Sequence, residues 1–257
     1  MRDPGLSAAI QAVGGVSELA RRVGISQPSV SNWDKVPAER VLAVEAATGV
    51  ARMRLRPDLY REQPAGTVDE IDLARAQEYA LLSALIARAP DVDLLARLSR
   101  LGGDASPLGL AHVALGEAAA RIETSAIERE YFNLFIGLGR GELLPYASYY
   151  LTGFLNERPL ARLRDDLAAF GVERVDGNHE PEDHAATLCE IMAAFAGGRF
   201  AAPDGAERRL FEKHMAPWMG RFFTDLEHAE AADFYRHVGT LGRLFMDIET
   251  EAFALPG

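Results

Sequence analysis

The residues of this chain best equipped for chemistry sit together at Glu180 to His184, in the run EPEDH, with His179 just before it. Carboxylates and imidazoles packed this densely suit either metal ligation or recognition of a cation. Metal hydrolysis fits poorly. His179 and His184 are five residues apart, so they do not share a helix face as an i, i+4 pair would, and no HExxH or Cys/His spacing accompanies them. There is no G-x-S-x-G, Walker A or dinucleotide fingerprint. The glycines of GLGRG, residues 137–141, follow a helical stretch rather than a strand, so they read as a structural turn. No catalytic residue, metal or cofactor is expected.

The element that must position EPEDH is the helix after it. Pro181 fits a first helical position, where its missing N–H would be unpaired anyway. Glu180 is the expected cap, and Glu182 and Asp183 place negative charge in the first turn, where the helix dipole favours it. Leu188, Ile191, Met192 and Phe195 then recur at helical spacing, and Gly197–Gly198 ends the run. Upstream, Glu128 to Leu151 reads EREYFNLFIGLGRGELLPYASYYL: an aromatic helix, a glycine turn, and a second aromatic cluster at Tyr146, Tyr149 and Tyr150.

Together the two blocks resemble the TorD/DmsD family of chaperones that mature molybdenum-containing redox enzymes. The family order is Leu-Phe-x-Gly, Pro-x-x-Ser-x-Tyr and Glu-Pro-x-Asp-His. It is matched by Leu134, Phe135 and Gly137, by Pro145, Ser148 and Tyr150, and by Glu180, Pro181, Asp183 and His184. One departure is Leu144–Pro145 where the family has Pro-Pro. The resemblance covers residues 70–250 and implies a helical bundle. It also implies a client: the catalytic subunit of a molybdopterin-dependent oxidoreductase, such as a formate dehydrogenase, or its twin-arginine leader. The implied client-binding residues are Tyr146, Ser148, Tyr150, Glu180, Pro181, Asp183 and His184. Asp183 would take a guanidinium through paired hydrogen bonds, His184 would orient that carboxylate or donate to a peptide carbonyl, and the tyrosines would supply amphipathic contact area.

Charge divides the chain. Residues 1–61 hold 9 Lys/Arg against 6 Asp/Glu, and residues 62–257 hold 18 against 32, so a segment of +3 precedes one of −14. An acidic domain suits a cation-bearing peptide, chiefly through encounter rate and specificity. The basic segment reads as its own helical module over 1–61. Ser7 to Val13 forms a helix, Ser17 caps a second, Ser26 caps a third over Gln27 to Trp33, and Pro37 opens a fourth ending at Gly49. This module resembles the Cro-like helix-turn-helix of the YdaS type, over residues 5–60. The resemblance implies DNA binding in dimers or higher assemblies, with Gln27, Ser29, Ser31 and Asn32 facing base edges. A charge of +3 is thin for gripping phosphates. The rival function is therefore a DNA-binding transcriptional regulator whose C-terminal domain senses a client or signal.

The linker is expected at 62–66, and residues 67–257 form the larger domain. Thr67 with Glu70, and Ser125 with Glu128, look like capping boxes. Ile71, Ala74, Leu81, Leu82, Leu85 and Ile86 should face inward on the first long helix. No clean period-2 strand appears, so the fold class is all-α. The sole cysteine, Cys189, excludes an internal disulfide, which suits a reducing compartment. No run reaches the roughly 20 apolar residues of a membrane span, and MRDPGLSAAIQAVGG lacks the pattern of a signal peptide. A cytoplasmic protein is expected, and a homodimer formed by exchanging elements is open to such a fold.

Overall fold

Caps and long-range clasps, rather than helix propensity alone, decide where the elements of this protein begin. The computed structural model describes residues 3–50, 52–57, 68–174 and 180–255. Two compact units result, Met1–Thr67 and Val68–Gly257. The expected linker at 62–66, Thr67 and His179 fall outside the described residues.

The small unit comprises α1 (Pro4–Ala12), α2 (Val16–Val23), α3 (Gln27–Ser31), α4 (Val41–Thr48) and α5 (Arg52–Leu55). Leu6, Leu19, Val30, Val41, Val44 and Leu55 close a dry core between them. Gly24, at φ 72°, makes the turn between α2 and α3 in a conformation that few residues other than glycine adopt. Ser26 caps α3 by accepting the Ser29 N–H. Two local expectations are corrected. Ser17 lies inside α2, whose N-cap is Gly15 without a side-chain bond. Helix α3 stops at Ser31, leaving Trp33 half-buried beside the core.

The large unit runs through α6 (Glu70–Ala87), α7 (Val92–Leu98), α8 (Pro107–Arg121), α9 (Thr124–Tyr131), α10 (Ala147–Thr152) and α11 (Arg158–Phe170). It continues through α12 (Ala185–Ala196), α13 (Ala206–Leu210), α14 (Met219–His228) and α15 (Phe234–Ala254). Helix α12 packs along α6, and α15 packs along α14 and α8. Tyr79, Leu82, Leu85 and Ile86 of α6 meet Leu188, Cys189 and Met192 of α12 in the same core. Burying each such side chain contributes about 1.5–3 kcal/mol. Cys189 is fully buried, and burial pushes its thiol pKa well up, so it is an inert small hydrophobe here.

Several expected boundaries move. The cap of α6 is Asp69, which accepts the Asp72 N–H at 2.7 Å. Helix α9 starts one residue before Ser125, behind an N-cap Glu123 that makes no side-chain bond. Ile71 and Ala74 are exposed, and the inner face of α6 starts instead at Ala76 and Tyr79. Arg75, next to Ala76, stands at the edge of that face. Its guanidinium forms two 2.7 Å bonds to the wholly buried Glu249 of α15, whose carboxylate also accepts the Tyr79 hydroxyl. Gly239 and Gly242 let α15 lie against α14; a Cβ at either would overlap the Glu227 backbone or the Phe223 ring.

Single π-helical turns at Phe132–Ile136 and Phe211–Met215 follow α9 and α13 directly. Among the described residues there is no strand, only one isolated antiparallel bridge between Tyr146 and His184.

Candidate functional site

That bridge brings together the two blocks singled out by their residue types. The Ala147 N–H donates to the Asp183 carbonyl at 3.0 Å, and the Ala185 N–H donates to the Pro145 carbonyl at 2.8 Å. Pro145–Ser148 and Asp183–Ala185 are thus laced side by side just before α10 and α12 begin. The lacing explains why EPEDH does not start a helix. Pro181 accepts the His184 N–H in a turn, and the carbonyl and N–H groups that a helix would use are committed to the other segment. Nucleating a helix fixes several residues for one hydrogen bond, whereas the bridge supplies two at once.

Helix α12 therefore begins at Ala185, with His184 rather than Glu180 as its cap. The His184 Nδ1 accepts the Ala186 N–H at 3.1 Å. An accepting Nδ1 puts the ring proton on Nε2. Burial keeps the pKa of His184 below the usual histidine value, against the pull of the Glu180 and Asp183 charges, so the ring is neutral near pH 7. A neutral His184 can cap a helix; an imidazolium could not.

Asp183 is wholly buried. Its Oδ2 accepts the Ser148 N–H at 2.8 Å in the first turn of α10, while its Oδ1 has no hydrogen-bond partner among the described residues. The Ser148 side chain is also wholly buried, and its Oγ is unpartnered too. In this conformation Asp183, expected to offer paired acceptors to a guanidinium, faces inward and holds the start of α10. Ser148 is likewise packed beneath the surface.

The groups that do reach solvent lie around this clasp. Tyr146 stands edge-on to His184 at 5.0 Å and donates from its hydroxyl to Glu180 Oε1 at 2.5 Å. Burial first, then that bond, raises the phenol pKa well above its ordinary value. Tyr150 packs on Trp218 and Phe222, with Arg221 over its ring. Tyr149 carries the Arg140 guanidinium on its face and accepts a 2.5 Å bond from it. Arg140 comes from the glycine turn, so the turn is tied to α10. A Cβ at Gly137 would strike the Arg140 carbonyl, which is why the turn begins with glycine. Leu138 at its tip is almost fully exposed.

Residue-type reasoning missed Glu182, Arg164 and Arg174. Glu182 turns away from the clasp and takes Arg164 of α11 at 2.8 Å, with Arg174 at 3.7 Å. Burial works against its ionised form, but the Arg164 bond and the Arg174 charge outweigh it and hold the carboxyl below the usual range. The two arginines are spaced irregularly in sequence, and nothing short of the fold pairs them. On the small unit, Gln27 and Ser29 of α3 and Asn32 at its C-cap are exposed, and Ser31 is half-exposed. Arg21 and Arg22 both bind Glu18, Arg52 binds Glu45, and Arg56 donates inward to the Val36 carbonyl.

Comparison with known proteins matches both units. A family profile described as nitrate reductase delta subunit covers residues 102–224, and one described as bacterial toxin YdaS covers residues 6–64. The chaperone protein TorD of Shewanella loihica is 26% identical over 205 residues, covering 70% of this chain and 92% of that protein. TorD of Vibrio cholerae is 27% identical over 136 residues, 49% of this chain; the match spans only 60% of that relative's length. A solved structure of a candidate redox enzyme maturation protein from Archaeoglobus fulgidus is 22% identical over 66% of this chain and 93% of its own, with a TM-score of 0.46.

Proposed function

We propose that this chain, a member of the TorD family through its larger unit, is a redox-enzyme maturation chaperone that works by reversible binding. Its client is the catalytic subunit of a molybdopterin-dependent oxidoreductase, held in the cytoplasm by its twin-arginine leader or in its apo form until cofactor is inserted. The observation that carries the reading is the clasp. Pro145–Ser148 and Asp183–Ala185 are bridged backbone to backbone, and Tyr146 and Glu180 are bonded to one another above it. A rigid floor under an aromatic and acidic surface suits a peptide that combines positive charge with apolar side chains.

Within this reading the site residues divide by role. Tyr146, Tyr150 and Glu180 would touch the client, Pro181 shapes the turn, and Ser148, Asp183 and His184 position the others. The test is capture of the tagged protein from its native cytoplasm with mass spectrometry, beside a Tyr146→Phe/Glu180→Gln variant. A molybdenum oxidoreductase subunit held by the wild type and depleted from the variant is expected. Equal capture by both would remove the site, and no such subunit with either would remove the function.

A second reading is favoured by the exposed polar face of α3 in a helix-turn-helix setting: the small unit binds DNA, and the protein regulates transcription. Because Arg21, Arg22, Arg52 and Arg56 are engaged internally, phosphate contacts would rest on few cations such as Arg40 and Arg54. A salt-sensitive gel shift on the gene's own upstream DNA, lost in Gln27→Ala/Asn32→Ala, would establish it. No shift at low salt would leave the small unit without a DNA role.

A further inference from the structure

Between α11 and α12, on the side of EPEDH where Glu182 points, the large unit carries a groove of about 330 Å³. Leu167, Val172, Ile191, Phe195 and Phe200 make its walls. Glu180, Glu182, Glu173 and Glu190 stand on its rim together with Arg164 and Arg174. An apolar trough edged by carboxylates is complementary to a peptide that places basic residues beside an apolar run. The groove also shows that guanidinium groups fit there, because it holds two from its own chain. Arg164 binds Glu182 through Nε and Nη2, at 2.9 and 2.8 Å. Arg174 reaches both Glu182, at 3.7 Å, and the Glu180 carbonyl, at 3.2 Å.

We propose that this groove is the subsite for a basic-plus-apolar peptide segment of the client, and that Arg164 and Arg174 are internal competitors for its acidic rim. The proposal rests on the chaperone reading above and adds to it a location and a self-restraining contact. Arg164 occupies Glu182 Oε2 with both of its contacts and Arg174 stands 3.7 Å from Oε1, so a visiting guanidinium that takes both oxygens side by side competes with them. An incoming arginine must displace one of them, and each displaced side chain is half-exposed and free to swing into water. The exchange of one arginine for another costs little in charge, so the apolar walls decide whether the visitor stays. A peptide with the arginines alone, or the apolar run alone, would gain only half of the contacts. Binding would thus be selective for the combination and readily reversible, as a chaperone requires.

The same geometry makes an unusual prediction: removing either arginine should tighten binding. The gain has an upper bound near fivefold for each, because an exposed ion pair contributes little. Deleting a positive charge anywhere on an acidic domain also helps a basic peptide, so a matched control is needed. Arg162 is an exposed arginine on the same helix that lines a different cavity, away from Glu182.

The experiment is titration of the full-length protein with a synthetic peptide carrying an arginine pair followed by an apolar run, read by fluorescence anisotropy. Wild type is set beside Arg164→Ala, Arg174→Ala, Arg162→Ala and Glu182→Gln. The expected result is two- to fivefold tighter binding for Arg164→Ala and Arg174→Ala, a smaller change for Arg162→Ala, and weaker binding for Glu182→Gln. In the Arg164→Ala/Glu182→Gln double variant the gain should vanish, because both substitutions act on one contact. Equal gains for Arg162→Ala and Arg164→Ala would overturn the competition. Binding that Glu182→Gln and an Ile191→Glu substitution in the wall both leave unchanged would overturn the subsite while the chaperone reading stands. A peptide that binds none of the proteins would overturn the subsite, while the chaperone reading falls only if capture also finds no oxidoreductase subunit.

Discussion

Glu249 and Asp183 are both wholly buried carboxylates, and they are buried in opposite ways. Glu249 has everything a buried charge needs: a two-pronged guanidinium from Arg75 and a hydroxyl from Tyr79. Among the described residues, Asp183 has one backbone N–H on one oxygen, no partner on the other and no cation paired with it. A carboxylate without a countercharge in a dry setting is costly. The first arrangement joins α6 to α15 and serves the core. The second joins the EPEDH turn to the start of α10 under the candidate client surface. Glu130 lies between the two cases. Among the described residues it pairs with no cation, yet its carboxylate accepts the N–H groups of Asp233, Phe234 and Tyr235 at the start of α15.

Substituting each in turn tests that ranking. Glu249→Ala leaves Arg75 with its deepest partner gone, and it should cost about 3–5 kcal/mol. Glu130→Ala strands the N–H groups at the head of α15 and should cost about 3 kcal/mol. In both, the denaturant midpoint should fall with the slope unchanged. Glu130 also has a pH signature. Burial, only partly offset by the three N–H donors, raises its pKa above the usual glutamate value. The folded state then holds a proton that the unfolded state has released, so stability falls as pH rises through that window and Glu130→Gln flattens the fall. A rise in stability over the same window would reverse the assignment.

Asp183 should respond differently to two substitutions. Asp183→Ala leaves the buried Ser148 N–H unpaired and should cost about 2 kcal/mol. Asp183→Asn keeps an oxygen for that N–H and removes the uncompensated charge, so stability should move by less than about 1 kcal/mol. If Asp183 only positions α10, client capture survives in the Asn variant. Loss of capture from a fully folded Asp183→Asn protein would show that the charge itself meets the client, and the contrast with Glu249 would then be one of function rather than degree.

The ease of reading the fold from sequence, against the site, follows from the same contrast. Helices α6, α8, α11, α12 and α15 announce themselves because an apolar face repeats along each. The motif residues of EPEDH and PYASYY were legible by type and order. Their roles were not, because roles depend on a bridge between Tyr146 and His184, far apart in the chain, and helix rules applied to EPEDH alone point to the wrong cap. Glu182 looked like a first-turn charge and proves to be the acceptor for Arg164 and Arg174. Ile71 looks like core on periodicity, but the inner face begins only at Ala76 and Tyr79.

The smallest effect belongs to His184. It caps α12 through an accepting Nδ1, which requires the neutral ring, and burial holds its pKa below the usual histidine value. An unfolded chain takes up a proton on this residue at higher pH than the folded protein does. Stability is therefore complete above the unfolded histidine pKa of roughly 6.5 and falls as pH drops through the window beneath it. His184→Asn keeps an oxygen acceptor at the N-cap, where Asn is among the preferred residues. Stability at pH 7.5 should change by less than about 1 kcal/mol, while the acid-side fall becomes shallower in a urea series from pH 7.5 to 5. An unchanged acid profile would place the proton uptake elsewhere and return His184 to a packing role. A fall that disappears together with client release at low pH would extend the clasp from positioning to control.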